Sequence, residues 1–139
     1  MFKKKDSHSL LVIDDDDGVL QAVQMALRTS DWKLTMTQDA KEGVELAHTL
    51  QPDVILCDAV MPGFTAAQIS EALQSDPVAA AIPVILMTGR GTQKMFSHVR
   101  WTNFLAKPFG PEELRSALES ALSSRERKMD GDADAKKQR

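Results

Sequence analysis

Four short apolar runs in this chain each stop at a residue able to bind a charged group. Leu10 to Ile13 is followed by Asp14-Asp15-Asp16-Asp17, and Val54 to Cys57 by Asp58. Val84 to Met87 is followed by Thr88-Gly89, and Phe104 to Ala106 by Lys107-Pro108. If these ends meet, several carboxylates converge and repel unless a cation joins them. A hard divalent ion with oxygen ligands is the natural answer, and magnesium commonly takes one or two carboxylates with waters and a phosphate oxygen. The carboxylate of Asp58 is then a nucleophile able to form an aspartyl phosphate. Thr88 can donate to a phosphate oxygen, and Lys107 can pair with another as a point charge. A magnesium ion neutralises charge on the transferring group.

The elements that must position these groups follow from the same runs. The four lack polar alternation, which is what parallel strands covered on both faces look like. A fifth strand fits Trp32 to Thr37, where Trp32, Leu34 and Met36 alternate with polar residues, as suits a place nearer the sheet edge. Between the runs lie helical spacings: Leu20, Val23 and Leu27; Val44, Ala47 and Leu50; Ala66, Ile69, Ala72 and Leu73. The clearest stripe is Leu114, Ala117, Leu118, Ala121 and Leu122, opened by Pro111, Glu112 and Glu113, which suit a helix N-terminus. Alternating strands and helices imply right-handed crossovers and a parallel sheet, with ligands at the carboxyl ends of its strands.

Composition narrows the choice. The chain has 139 residues, 42% of them hydrophobic, which suits one domain with a real core. No apolar run nears the roughly 18 residues of a membrane span, and none of signal-peptide length follows the basic start, so a soluble, cytoplasmic protein with no membrane partner is expected. Cys57 is the only cysteine, which excludes an internal disulfide and a thiolate zinc cage. His8, His48 and His98 share no ligand spacing. Residues 6 to 124 carry 16 acids and 8 bases, a net of −8. That acidic body argues against nucleic-acid binding. Residues 1–7 read as a basic tail and 125–139, with ten charges and no apolar stripe, as a charged, disordered one. Such ends suit solvent, with an acidic partner as the alternative.

Together these residues resemble the response-regulator receiver family of two-component signalling. Val12-Ile13-Asp14-Asp15 resembles its first-strand acidic pair, and Pro52 to Asp58 its phosphoacceptor strand, followed by Met61-Pro62-Gly63. Ile82 to Gly89 resembles the fourth strand with its switch threonine, and Phe104 to Phe109 the Lys-Pro motif. The match covers about residues 8 to 124. It implies an α/β, doubly wound, five-stranded parallel sheet in the flavodoxin-like order 2-1-3-4-5. It also implies that Asp58 accepts the phosphoryl group, that Asp14, Asp15, Asp58 and the Val60 carbonyl hold Mg2+, and that Thr88 and Lys107 hold phosphate oxygens, with Lys107-Pro108 cis. The donor would be a sensor histidine kinase or a histidine phosphotransfer protein, and an unknown output protein would read the result. Phe104 falls at the family's aromatic switch position, where it also reads as a plain core residue.

The chain departs from that pattern in two places. Thr88 and Lys107 are only 19 positions apart, so the fourth helix, near Thr92 to Val99, should be short or distorted. Met95, Phe96 and Trp101 would then fill the gap or form an exposed partner patch. Val60 and Arg90 stand where the family flanks the phosphoryl group. Valine cannot orient an attacking water and Arg90 could pair with phosphate, so slow hydrolysis is expected. Two other functions compete. Asp15-Asp16-Asp17-Gly18-Val19-Leu20 also resembles the first motif of haloacid-dehalogenase-type phosphatases, with Asp15 as nucleophile and Asp17 as acid/base. A pseudo-receiver binding module that is never phosphorylated is the other.

Overall fold

The computed structural model describes the backbone of residues 7–96 and 99–137. Strand β1 (His8–Ile13) leads through α1 (Asp17–Ala26) to β2 (Trp32–Thr37), and α2 (Ala40–Leu50) leads to β3 (Val54–Asp58). A short hairpin of β4 (Val60–Met61) and β5 (Phe64–Thr65) precedes α3 (Ala66–Gln74) and the one-turn α4 (Pro77–Ala80). Strand β6 (Val84–Gly89), a 3-10 turn (Gln93–Phe96), β7 (Asn103–Lys107) and α5 (Pro111–Lys137) complete the order. The five long strands form one parallel sheet in the order β2-β1-β3-β6-β7, the expected doubly wound arrangement.

Side chains alternate across this sheet with a period of two, and the two faces bury two cores. Leu10 and Val12 of β1, Val54 and Leu56 of β3, Ile85 and Met87 of β6 and Leu105 of β7 pack against Val23 of α1 and Leu114, Leu118 and Ala121 of α5. Leu11, Ile13, Ile55 and Cys57 face the other way, onto Ala40 and Ala47 of α2 and Ile69 and Leu73 of α3. Both faces being dry explains why the strands read as unbroken apolar runs. Each fully buried leucine or isoleucine contributes roughly 1.5–3 kcal/mol of transfer free energy.

The helix starts are set by caps. Asp16, Asp39 and Asp76 accept from backbone N–H groups at the starts of α1, α2 and α4, and Thr65 with Gln68 forms a reciprocal capping box on α3. The hairpin was not anticipated. Its signal is Pro62-Gly63, with Gly63 at φ 78°, the positive value a type II turn needs at its third residue. The shortened fourth helix is observed as the 3-10 turn alone, with Ser97 and His98 outside the described residues. Phe96, Trp101 and Phe104 pack against Ala59, Ala66 and Leu86, so they fill the gap, while Met95 stays 66% exposed.

The backbone of α5 is helical to Lys137, past Arg125, where the charged tail was expected to begin, and residues 138–139 lie outside the described residues. The run Arg125-Glu126-Arg127-Lys128-Met129 consists of good helix formers with no proline, so local propensity favours the helix just beyond its apolar stripe.

Gly43 of α2 marks the closest approach of helix and sheet: a Cβ there would lie 2.6 Å from Cδ1 and 2.8 Å from Cγ1 of Ile13. Alanine gains about 1 kcal/mol in helix propensity, but overpacking a buried site typically costs 1–3. Gly43→Ala is therefore expected to lower the urea midpoint, by up to about 2 kcal/mol in stability. An unchanged or raised midpoint would mean that Ile13 gives way freely.

Candidate functional site

The alternation that builds the first core also builds the site. Asp14 follows Val12 by two residues, Asp58 follows Leu56, and Lys107 follows Leu105, and all three of those apolar residues belong to the same core. Each polar group therefore continues one face of the sheet a step beyond its apolar filling, at the carboxyl rim. Thr88 follows Leu86 on the opposite face, and Phe104, whose register partner is Leu86, lies there too. Asp15 begins the turn into α1.

The charges are tightly placed. Asp14 is fully buried and Asp58 is 8% exposed. Lys107 Nζ donates to Asp14 Oδ2 at 2.8 Å and lies 3.2 Å from Asp58 Oδ1. Asp14 Oδ1 accepts from the Asp16 N–H at 2.9 Å, and Asp58 Oδ1 from the Val60 N–H at 3.3 Å. One carboxylate oxygen each from Asp14, Asp15 and Asp58 lies within 4.8 Å of the other two. An octahedral magnesium site with ligands at about 2.1 Å puts opposite oxygens about 4.2 Å apart, so this all-oxygen set fits a hard divalent cation. The hydroxyl of Thr88 is buried without a hydrogen-bond partner. The Lys107-Pro108 bond is cis, as expected.

The titration shifts follow from these contacts. Burial and the neighbouring Asp14 charge push the Asp58 carboxyl above 3.8, although Lys107 works against them. Burial disfavours the Lys107 ammonium, but its hydrogen bond to Asp14 and the charges of Asp58 and Asp14 outweigh that and raise it above 10.5. Burial also pushes the Cys57 thiol far up, which leaves it neutral and unreactive.

Other residues singled out in the sequence fall elsewhere. Val60 is 73% exposed beside Asp58. Arg90 donates to the Pro108 carbonyl at 3.3 Å, on the loop after Lys107. Asp17 is engaged by the Gln38 amide, so it is not directed at a substrate beside Asp15. Lys107 bonds Asp14 and lies against Asp58, an arrangement built around Asp58 and unlike the phosphatase motif led by Asp15 and Asp17. The sequence reading assigned Lys107 to phosphate and missed that two carboxylates hold it. The two-residue step from Leu105 to Lys107 and from Val12 to Asp14 was the available signal.

The family model of the response regulator receiver domain matches residues 10–119. The chain belongs to the response regulator receiver domain family. It is therefore a signalling domain of the two-component kind, built around an acidic cluster. It is 29% identical over 133 residues to the response regulator Rre1 of Synechocystis, covering 93% of this chain and 58% of that protein. It is 29% identical over 117 residues to protein PilH of Pseudomonas aeruginosa, covering 82% of this chain and 97% of that one. Among solved structures, the chemotaxis response regulator CheY4 of Vibrio cholerae superimposes with a TM-score of 0.76 at 26% identity, over 84% of this chain and 99% of that one. The receiver domain of the Pseudomonas aeruginosa sensor histidine kinase PA1611 shares the fold (TM-score 0.77, 21% identity, over 84% of this chain and 98% of that one) and was solved with magnesium in its active-site cleft.

The chain spans 51–58% of the length of Rre1, of the regulator PhoB of Pseudomonas aeruginosa and of ycf29 of Porphyra purpurea. PhoB is named a transcriptional regulatory protein. The net negative charge of residues 6 to 124 bears only on this domain's own surface, not on longer proteins containing such a domain. No helix among the described residues is long and apolar enough to cross a membrane.

Because the metal-free site crowds two acids, removing one charge should stabilise it. In a chelator, Asp58→Asn is expected to melt above the wild type at neutral pH. The folded-state pKa of Asp58 is raised, so the wild type gains relative stability as its carboxyl protonates. The advantage is full above that raised value and fades as pH falls towards the ordinary 3.8. A variant less stable at neutral pH, or a gap widening in acid, would contradict this reading of Asp58.

Proposed function

We propose that this domain accepts a phosphoryl group on Asp58 from the phosphohistidine of a sensor histidine kinase or histidine phosphotransfer protein, with Mg2+ bound, and so changes its affinity for an output protein. One observation carries the reading: Lys107 sits between Asp14 and Asp58 at the rim where Asp15 adds a third carboxylate. A carboxylate oxygen of Asp58 attacks phosphorus, the P–N bond breaks, and the imidazole leaves with its electron pair and takes a proton. The product is an acyl phosphate on Asp58. Lys107 turns from Asp58 to a phosphate oxygen, and the unpartnered Thr88 hydroxyl donates to another. Magnesium held by Asp14, Asp15, Asp58 and the Val60 carbonyl would neutralise charge on the transferring group. Movement of Thr88 towards phosphate would open space that Phe104, on the same face, can take up. The domain thereby catalyses only its own phosphorylation and hydrolysis.

The test is incubation with acetyl phosphate and magnesium, followed by mapping of the modified residue. One phosphoryl group on Asp58 is expected, and none after Asp58→Asn or with a chelator. Thr88→Ala or Lys107→Met should slow labelling by about 100-fold, the usual cost of one preorganised donor. Label on Asp15 would instead favour the phosphatase reading, and no label at all a pseudo-receiver.

Exposed Val60 beside Asp58 also supports a long-lived phosphoryl group, because its side chain cannot orient an attacking water. Val60→Asn combined with Arg90→Glu is expected to speed hydrolysis on the order of tenfold by positioning a water and removing a cation from the rim. A rate unchanged by the pair would refute this.

A further inference from the structure

At the opposite rim of the sheet lies a third buried carboxylate, which the phosphoryl chemistry does not use. Asp53, immediately before β3, is 5% exposed. Its Oδ2 accepts from the Ser9 N–H at 2.8 Å and from the Ser9 hydroxyl at 3.3 Å, both on β1. Its Oδ1 accepts from Arg125 Nη1 at 2.9 Å. His8 Nδ1 lies 3.9 Å from Oδ2. Arg125 is on α5, just where the apolar stripe has run out: among the described side chains of α5, Ala121 is the last fully buried one, and Leu122 packs only in part.

This geometry makes α5 a helix of two unlike halves. Its 27 residues span about 40 Å, and the stripe ending at Leu122 covers fewer than half of them. The first half is held by apolar packing and by Arg115 Nη2, which donates to the Ala26 carbonyl at 3.4 Å. Beyond Leu122, what holds it to the domain among the described side chains is the pair Arg125–Asp53. Ser9 orients Asp53 for this charge-assisted bond, and losing Arg125 would leave a buried carboxylate short of a partner. The pair is also openable. The Arg125 side chain is 32% exposed and borders a cavity of about 140 Å³ with Ser124, Trp101 and Thr102, which gives the guanidinium room to swing away.

We propose that Asp53 and Arg125 form a latch that fixes the far half of α5 to the receiver. Closed, it makes residues 126–137 continue the domain as one rigid arm; open, it lets them move independently of the sheet. The latch does not depend on Asp58 or on magnesium.

Hydrogen exchange on the full chain tests it. Arg125→Gln and Asp53→Asn are each expected to speed exchange across residues 119–137 by about tenfold, the equilibrium effect of losing one hydrogen bond to a charged group. Residues 111–117 and the five-stranded sheet should be unaffected. In residues 119–137 the double variant should exchange no faster than the faster single one, because the Arg125 contact is lost in both. Asp58→Asn should leave this region unchanged whether or not the phosphoryl reading holds. Unchanged exchange after Arg125→Gln, additive effects in the double variant, or a rise spread over the whole sheet would each overturn the latch.

Discussion

A buried carboxylate must be compensated, and the ammonium of Lys107 compensates two. Asp14 is wholly removed from solvent and Asp58 nearly so, a placement that would cost several kcal/mol per ion without a partner. Lys107 reaches both only because β1, β3 and β7 end at one rim, on one face, in register. The order of the sheet, the dry runs that fill it and the two-residue step from core to charge all serve that one convergence. The compensation is incomplete, since Asp58 remains pushed towards its neutral form. That shortfall is the charge a bound cation would offset.

Much of this was legible in the sequence because it depends on periods and endings. Unbroken runs such as Val54 to Cys57 announce strands buried on both faces, and the residue after each run must stand at the rim. The convergence of Asp14, Asp15, Asp58 and Lys107 follows once the strands are taken as parallel. The separation of 19 positions between Thr88 and Lys107 announced a curtailed fourth helix because chain length bounds what can be built.

What was not legible depends on contacts between distant residues or on competing local preferences. Nothing near Arg90 in sequence says that it meets the Pro108 carbonyl. The pairing of Asp53 with Arg125 spans 72 residues and leaves no periodic trace. The helical backbone of the far half of α5 was not legible because its charge and its Asp130-Gly131-Asp132 stretch both point away from a helix. Charge density says that a segment makes no core; it does not say that its backbone is irregular. The β4–β5 hairpin was missed for a different reason: two-residue strands have no periodicity, and only Pro62-Gly63 marks the turn.

Strand β3 shows how environment separates two residues of one kind. Asp53 immediately precedes it and Asp58 ends it, both buried, five positions apart. Asp53 receives a backbone N–H and a hydroxyl from Ser9 and a guanidinium from Arg125, so its negative charge is met by fixed donors of its own chain. Asp58 receives one long backbone contact from Val60 and shares its ammonium with Asp14. A carboxylate surrounded by fixed donors has little reason to react, because any new bond to its oxygens must displace them. One that shares too few donors gains by binding a cation or an electrophile. The same side chain is therefore a clamp at one rim and the candidate phosphoacceptor at the other, and the difference lies in how many donors the neighbouring strands and helices bring to it.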